Sequence, residues 1–130
     1  MNTNEPNAGS ADVEIDGREY ARACTVAELP PGRSRMLYFD EERQIALFNV
    51  DGELHAVTNI CPHQHSPVIV DGMIEDCTVT CPLHGWAYDL RSGRALGGGA
   101  RLKTFDVRVV EGVIWVEVPG EEEPTWFRGM

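Results

Sequence analysis

The chain has 130 residues, 42% of them hydrophobic and 25% charged, which suits one packed domain and excludes both a disordered and a membrane-spanning composition. Eleven Lys and Arg against 21 Asp and Glu leave a formal net charge of −10, which disfavours nucleic acid and anionic lipid as partners. No stretch approaches the about 18 apolar residues of a membrane span, and the first residues lack the basic and apolar regions of an export signal, so a cytoplasmic location is expected.

Residues 1–18 read as a flexible polar lead-in, residues 19–119 as the single domain, and residues 120–130 as an acidic tail that carries Trp126 and Phe127. Thr25 to Leu29 is the one helical turn expected, with Thr25 as N-cap, Glu28 three residues on, and Pro30-Pro31 ending it. Short apolar runs separated by turn residues follow at Arg35 to Phe39, Gln44 to Val50, Glu53 to Ile60, Thr78 to Cys81, Trp86 to Leu90, Lys103 to Val110 and Val113 to Val118. Asp51-Gly52 and Glu111-Gly112 are tight-hairpin signals, so the neighbouring runs should be antiparallel strands. Ile114, Val116 and Val118 alternate with Trp115 and Glu117, as on a half-buried strand. The fold class is therefore all-β. Gly97-Gly98-Gly99 is either a plain loop or a close approach of backbone to a buried site.

The chemistry-bearing residues form two arms, Cys61-Pro62-His63 and Cys81-Pro82-Leu83-His84, with 17 residues between them. Each arm offers one thiolate and one imidazole, and two such loops side by side can present four ligands to one centre. Structural zinc sites usually group like ligands as Cys-x2–4-Cys and His-x3–5-His, whereas each arm here mixes them. That mixing favours an iron cluster over zinc, with a zinc-stabilised binding module as the alternative. Disulfides among Cys24, Cys61, Cys77 and Cys81 are not expected in a reducing compartment. Cys24 and Cys77 read as core thiols, His55 as a structural residue on a strand and His65 as a solvent-facing neighbour of the first arm. Trp86 is expected in the core, and Tyr88 either packs there or gives its hydroxyl to a ligand sulfur.

The pattern Cys-x-His-x17-Cys-x2-His, with Gly85-Trp86 after the second arm and Asp89 and Gly93 beyond it, resembles the Rieske [2Fe–2S] domain. The resemblance runs from about Cys24 to Val118. It implies an antiparallel β-sandwich of three small sheets with two cluster-binding loops at one tip. It also implies one [2Fe–2S] cluster per chain, held by Cys61 and Cys81 on the inner iron and by His63 and His84 on the outer one. In the high-potential branch of that family an extra Cys in each arm forms a disulfide; here those places hold Ser66 and Leu83, and Trp86 stands where a serine would donate to a bridging sulfide. The chain is thus similar to the ferredoxin branch, and its potential should sit toward the low end of the roughly −150 to +300 mV Rieske range.

With His55, His63, His65 and His84 as the only histidines, two of them assigned to the cluster, no mononuclear-iron triad is in evidence, and no catalytic residue is expected. The resemblance implies a one-electron carrier, a Rieske-type ferredoxin between a flavin-dependent NAD(P)H reductase and a terminal oxygenase. The alternative is the small subunit of an assimilatory NAD(P)H nitrite reductase, whose partner would be the large subunit of that enzyme.

Overall fold

The computed structural model describes residues 13–15, 17–62, 65–83 and 85–119; the lead-in before Val13 and the tail with Trp126 and Phe127 lie outside the described residues. Among the described residues, eleven strands make three antiparallel sheets. In the first, β1 (Val13–Ile15), β2 (Arg18–Thr25), β11 (Val113–Glu117) and β10 (Val107–Val110) lie side by side. The second holds β3 (Ser34–Asp40), β4 (Arg43–Val50), β5 (Glu53–Thr58) and β9 (Thr104–Phe105) in that order. The third is a meander of β6 (Met73–Glu75), β7 (Thr78–Thr80) and β8 (Ala87–Asp89).

The turn chemistry accounts for the antiparallel order. Asp51-Gly52 and Glu111-Gly112 have φ of 53° and 96°, and 51° and 81°, the left-handed pairs that a two-residue hairpin of the right twist requires. Thr25 caps the turn Val26–Glu28 as expected: its hydroxyl accepts from the Glu28 N–H while the Glu28 carboxylate accepts from the Thr25 N–H. β2 and β6 were not legible as strands, and β1 falls in the stretch read as lead-in. β2, REYARACT, carries Arg18, Glu19 and Arg22 without a clean alternation, and its inward set depends on pairing with β11 on one side and β1 on the other.

Central strand β4 explains the layering. Ile45 and Leu47 face one core, with Cys24, Leu29, Leu37, Ala56, Ile114 and Val116. Ala46 and Phe48 point the other way, into a second core with Val57, Ile69, Val79, Tyr88, Leu90 and Leu102. A strand buried on both faces reads in sequence as an unbroken apolar run, which is what Ile45 to Phe48 shows within β4. The second core is the one that contains Cys61 and Cys81.

The run Lys103 to Val110, read as one strand, is broken at Asp106. Phe105 pairs with Ala56 of the second sheet, whereas Val107 pairs with Val116 of the first, so the chain changes sheets between them. Asp106 fixes the crossing: its carboxylate accepts from the Tyr20 hydroxyl at 2.6 Å and from Arg108 Nε at 2.8 Å. The Tyr20 hydroxyl, and after it the Arg108 guanidinium, hold the Asp106 carboxyl below the ordinary carboxylate range. A lowered folded value means that this contribution to stability is complete above the ordinary range and is lost as pH falls through the lowered value. Asp106→Asn is accordingly expected to flatten the acid limb of a stability-against-pH curve; an unchanged limb would place the acid sensitivity elsewhere.

Candidate metal centre

Both arms of the sequence motif leave short strands and return on themselves in the same way. After β5, the Cys61 N–H donates to the Ser66 carbonyl at 2.9 Å, and the Cys61 carbonyl accepts from the His65 N–H at 2.6 Å. After β7, the Cys81 N–H donates to the Trp86 carbonyl at 2.7 Å, and the Cys81 carbonyl accepts from the Gly85 N–H at 3.1 Å. The fifth residue of each loop is left-handed, His65 at φ 54° and Gly85 at φ 77°. Two loops with the same bonds at the same offsets, each opening on a cysteine, are therefore one structural unit used twice.

Both cysteines sit at the floor of their loops, Cys61 at 0% and Cys81 at 1% exposure, within one packed cluster. Tyr88, on β8, lies beside them and its hydroxyl hydrogen-bonds the Cys61 side chain. Burial, and after it the charge and hydrogen bond of Cys61 and the charge of Cys81, push the Tyr88 hydroxyl well above its ordinary value, so it stays protonated and able to donate. Tyr88 thus packs in the core and also bonds the Cys61 side chain. None of the four cysteines is in a disulfide; Cys24 lies in the other core and Cys77 at the turn between β6 and β7. His63 and His84 lie outside the described residues.

Around the second loop the surface is apolar. Leu83, Trp86 and Leu96 are exposed, so Trp86 is not the core residue expected of it. His65 is exposed as expected. Gly98 and Gly99 take φ of 87° and 91° with open space around them, which makes Gly97-Gly98-Gly99 a plain turn.

Asn59 is the site residue that sequence reasoning missed. It is 1% exposed, two residues before Cys61. Its side-chain oxygen accepts from the Val70 N–H at 2.7 Å and its side-chain nitrogen donates to Gln44 Oε1 at 3.2 Å. Its backbone bonds Gln44 and Ile69, so one amide ties both ends of the first loop to β4. The available signal was a polar residue at the end of the apolar run Glu53 to Ile60. Asn59→Leu takes away the partner of the Val70 N–H and of Gln44 Oε1, a cost of about 2–3 kcal/mol. Chemical denaturation should show that loss, and a midpoint equal to the wild type would remove Asn59 from this role.

Three small antiparallel sheets with twin cysteine-based turns at one end, backed by a buried tyrosine donor, define an all-β domain built to hold a metal centre between two loops. The family model for the Rieske-like [2Fe-2S] domain matches residues 19–117, and the chain belongs to that family. Its cofactor is therefore one [2Fe–2S] cluster. The chain is 43% identical over 102 residues to the 3-phenylpropionate/cinnamic acid dioxygenase ferredoxin subunit of Photorhabdus laumondii, covering 76% of this chain and 94% of that protein. Among solved structures it is similar to the Sphingomonas yanoikuyae B1 ferredoxin, with a TM-score of 0.66 and 29% identity over 75% of this chain and 97% of the other. It is also similar to a structure described as an NADH-dependent nitrite reductase small subunit from Mycobacterium tuberculosis, with a TM-score of 0.71 and 29% identity over 85% and 100%. No helix among the described residues is long and apolar enough to cross a membrane.

Proposed function

We propose that this chain is a one-electron carrier, a Rieske-type ferredoxin whose [2Fe–2S] cluster is held by Cys61, His63, Cys81 and His84. The observation that carries the ligand assignment is the equivalence of the two loops, each with a buried cysteine at its floor and the same hydrogen bonds behind it. The donor set fits the group: two buried thiols facing one apolar cluster suit the inner half of the site, and each motif supplies an imidazole two or three residues further along the chain. Bound there, the cluster supplies a single oxidation–reduction step of one electron. The protein's part is to keep Cys61 and Cys81 dry, to hold the loops by backbone bonds, and to aim the Tyr88 hydroxyl at Cys61.

The electron is taken from a flavin-dependent NAD(P)H reductase and passed to a terminal oxygenase in the cytoplasm. This reading is supported by relatives named as dioxygenase ferredoxin subunits at 38–43% identity, matched over nearly their whole length. The similarity at 29% identity to the nitrite reductase small subunit supports the second reading, a subunit of a nitrite reductase. The two separate in one experiment. Anaerobic mixing with NADH and the reductase component of an aromatic-ring dioxygenase should reduce the protein by one electron per chain, and added oxygenase should reoxidise it. Absence of reduction, together with stoichiometric co-purification with a sirohaem protein, would decide for the nitrite reductase.

The Tyr88 hydroxyl also sets an electrochemical expectation. A donor to a ligand sulfur stabilises the more negative, reduced form, and a difference of about 1 kcal/mol between the two forms is about 45 mV for one electron. Tyr88→Phe should therefore lower the midpoint potential by about that amount in voltammetry while iron content stays unchanged. An unmoved potential would leave Tyr88 a packing residue.

A further inference from the structure

Away from the two loops, one group of unlike donors converges at the junction of the second and third sheets. Cys77 Sγ, on the turn between β6 and β7, lies 3.5 Å from His55 Nε2 on β5. The same nitrogen is 3.4 Å from Glu53 Oε1, and all three donor atoms lie within 4.8 Å of one another. We propose that Glu53, His55 and Cys77 form a second metal site, for a divalent cation of the zinc class.

The spacing is the first reason. A tetrahedral zinc with bonds of about 2.3 Å to sulfur and about 2.0–2.1 Å to nitrogen and oxygen sets its ligands apart by about 3.5 Å for S···N and about 3.3 Å for N···O. Those are the two separations found here. A thiolate, an imidazole and a carboxylate are also the three ligand types zinc takes, and three protein ligands leave a fourth position for water.

The second reason is hydrogen-bond arithmetic. One imidazole nitrogen is faced by both a thiol and a carboxylate, and in either tautomer it can serve only one of them fully. A cation satisfies all three. His55 is only 14% exposed on its side chain and Cys77 only 6% exposed, so water is a poor substitute. Glu53 is exposed, and it also makes an ion pair of 3.7 Å with the exposed Arg91, which is weak and easily exchanged.

The backbone gives the third reason. Asp76 and Cys77 have φ of 53° and 58°, the same left-handed pair as Asp51-Gly52 and Glu111-Gly112. In those turns the second position is glycine; here it is a residue with a side chain, at a cost of about 1–2 kcal/mol. Local turn chemistry favours glycine at this position, so the thiol is held there against a local penalty, as at functional positions. Filled, the site would join the β6–β7 turn to β5, and β7 runs straight from that turn into Cys81. Zinc would thus clamp the strand that carries one of the loops.

The inference does not depend on electron carriage. It is tested on the iron-loaded protein titrated with Zn2+ alone, by calorimetry, with iron and zinc counted on the same dialysed sample. We expect one zinc per chain with a dissociation constant of about 1 μM or below, no loss of iron, and a raised melting temperature. Cys77→Ala and His55→Ala should each weaken binding by about a hundredfold and abolish the thermal shift. Glu53→Gln is exposed and should leave melting without zinc unchanged while weakening binding about tenfold. Zinc uptake that is unchanged in Cys77→Ala or in Glu53→Gln, or zinc that enters only as iron leaves, would overturn the proposal.

Discussion

Cys61→Ser or Cys81→Ser is expected to yield protein without its cluster, with iron and acid-labile sulfide near zero and the visible absorption gone. The two thiols lie at the buried floors of twin loops, within one packed cluster. A serine hydroxyl is a harder and far less acidic ligand, so it does not hold iron as a thiolate does. Because ligand binding and folding are coupled, the loss should extend to the loops themselves, seen as faster proteolysis between Cys61 and Trp86. His65→Ala is the control. Its side chain is exposed and its structural contribution is a backbone bond to Cys61, so iron content should match the wild type. A normal cluster in either serine variant, or iron lost from the His65 variant, would show that the ligands are wrongly assigned.

Gly93→Ala is expected to be the most destabilising substitution outside the loops. Gly93 has φ 82°, and an added methyl group there would run into the Leu102 backbone carbonyl. The surrounding bonds leave little room to adjust. The Gly93 N–H donates to the Asp89 carbonyl at 2.7 Å, and the Leu102 N–H donates to the Gly93 carbonyl at 2.7 Å. Asp89 also accepts from the Arg91 N–H at 2.7 Å, closing the turn after β8. Strain in the left-handed region and the collision together should cost about 3 kcal/mol or more, which for a domain of this size lowers the melting temperature by about 10 °C. Gly93→Asn, which tolerates positive φ but not the collision, separates the two causes. If alanine melts within a degree of the wild type, the close approach of Leu102 is not a constraint on this turn.

Much of the fold could be read from the residues because its signals are local. Asp51-Gly52 and Glu111-Gly112 announce their turns, and the Thr25–Glu28 capping box announces its own, since each depends on side chains within four residues. The apolar run Ile45 to Phe48 in β4 marks a strand buried on both faces. What escaped depends on distant partners. β2 carries Arg18, Glu19 and Arg22 and becomes a strand by pairing with β11, far along the chain. The break at Asp106 could not be seen because Tyr20, which fixes it, is distant in sequence and close in space. In the same way the Cys-x-His and Cys-x2-His spacings make the two cysteine arms legible, while Asn59 is not, because its partners Gln44 and Val70 lie on other elements. Cys77 and His55 were read as core and structural residues for the same reason; only the fold brings the turn between β6 and β7 against β5.

The central claim is that this domain carries a cluster with mixed sulfur and nitrogen ligation. The measurement that tests it most directly is low-temperature EPR of the dithionite-reduced protein, with iron and sulfide counted on the same sample. We expect two irons and two sulfides per chain and a signal whose average g lies below that of an all-cysteine cluster, as two histidine ligands on one iron require. A colourless, iron-free protein, or a reduced signal with the average g of all-sulfur ligation, would contradict it.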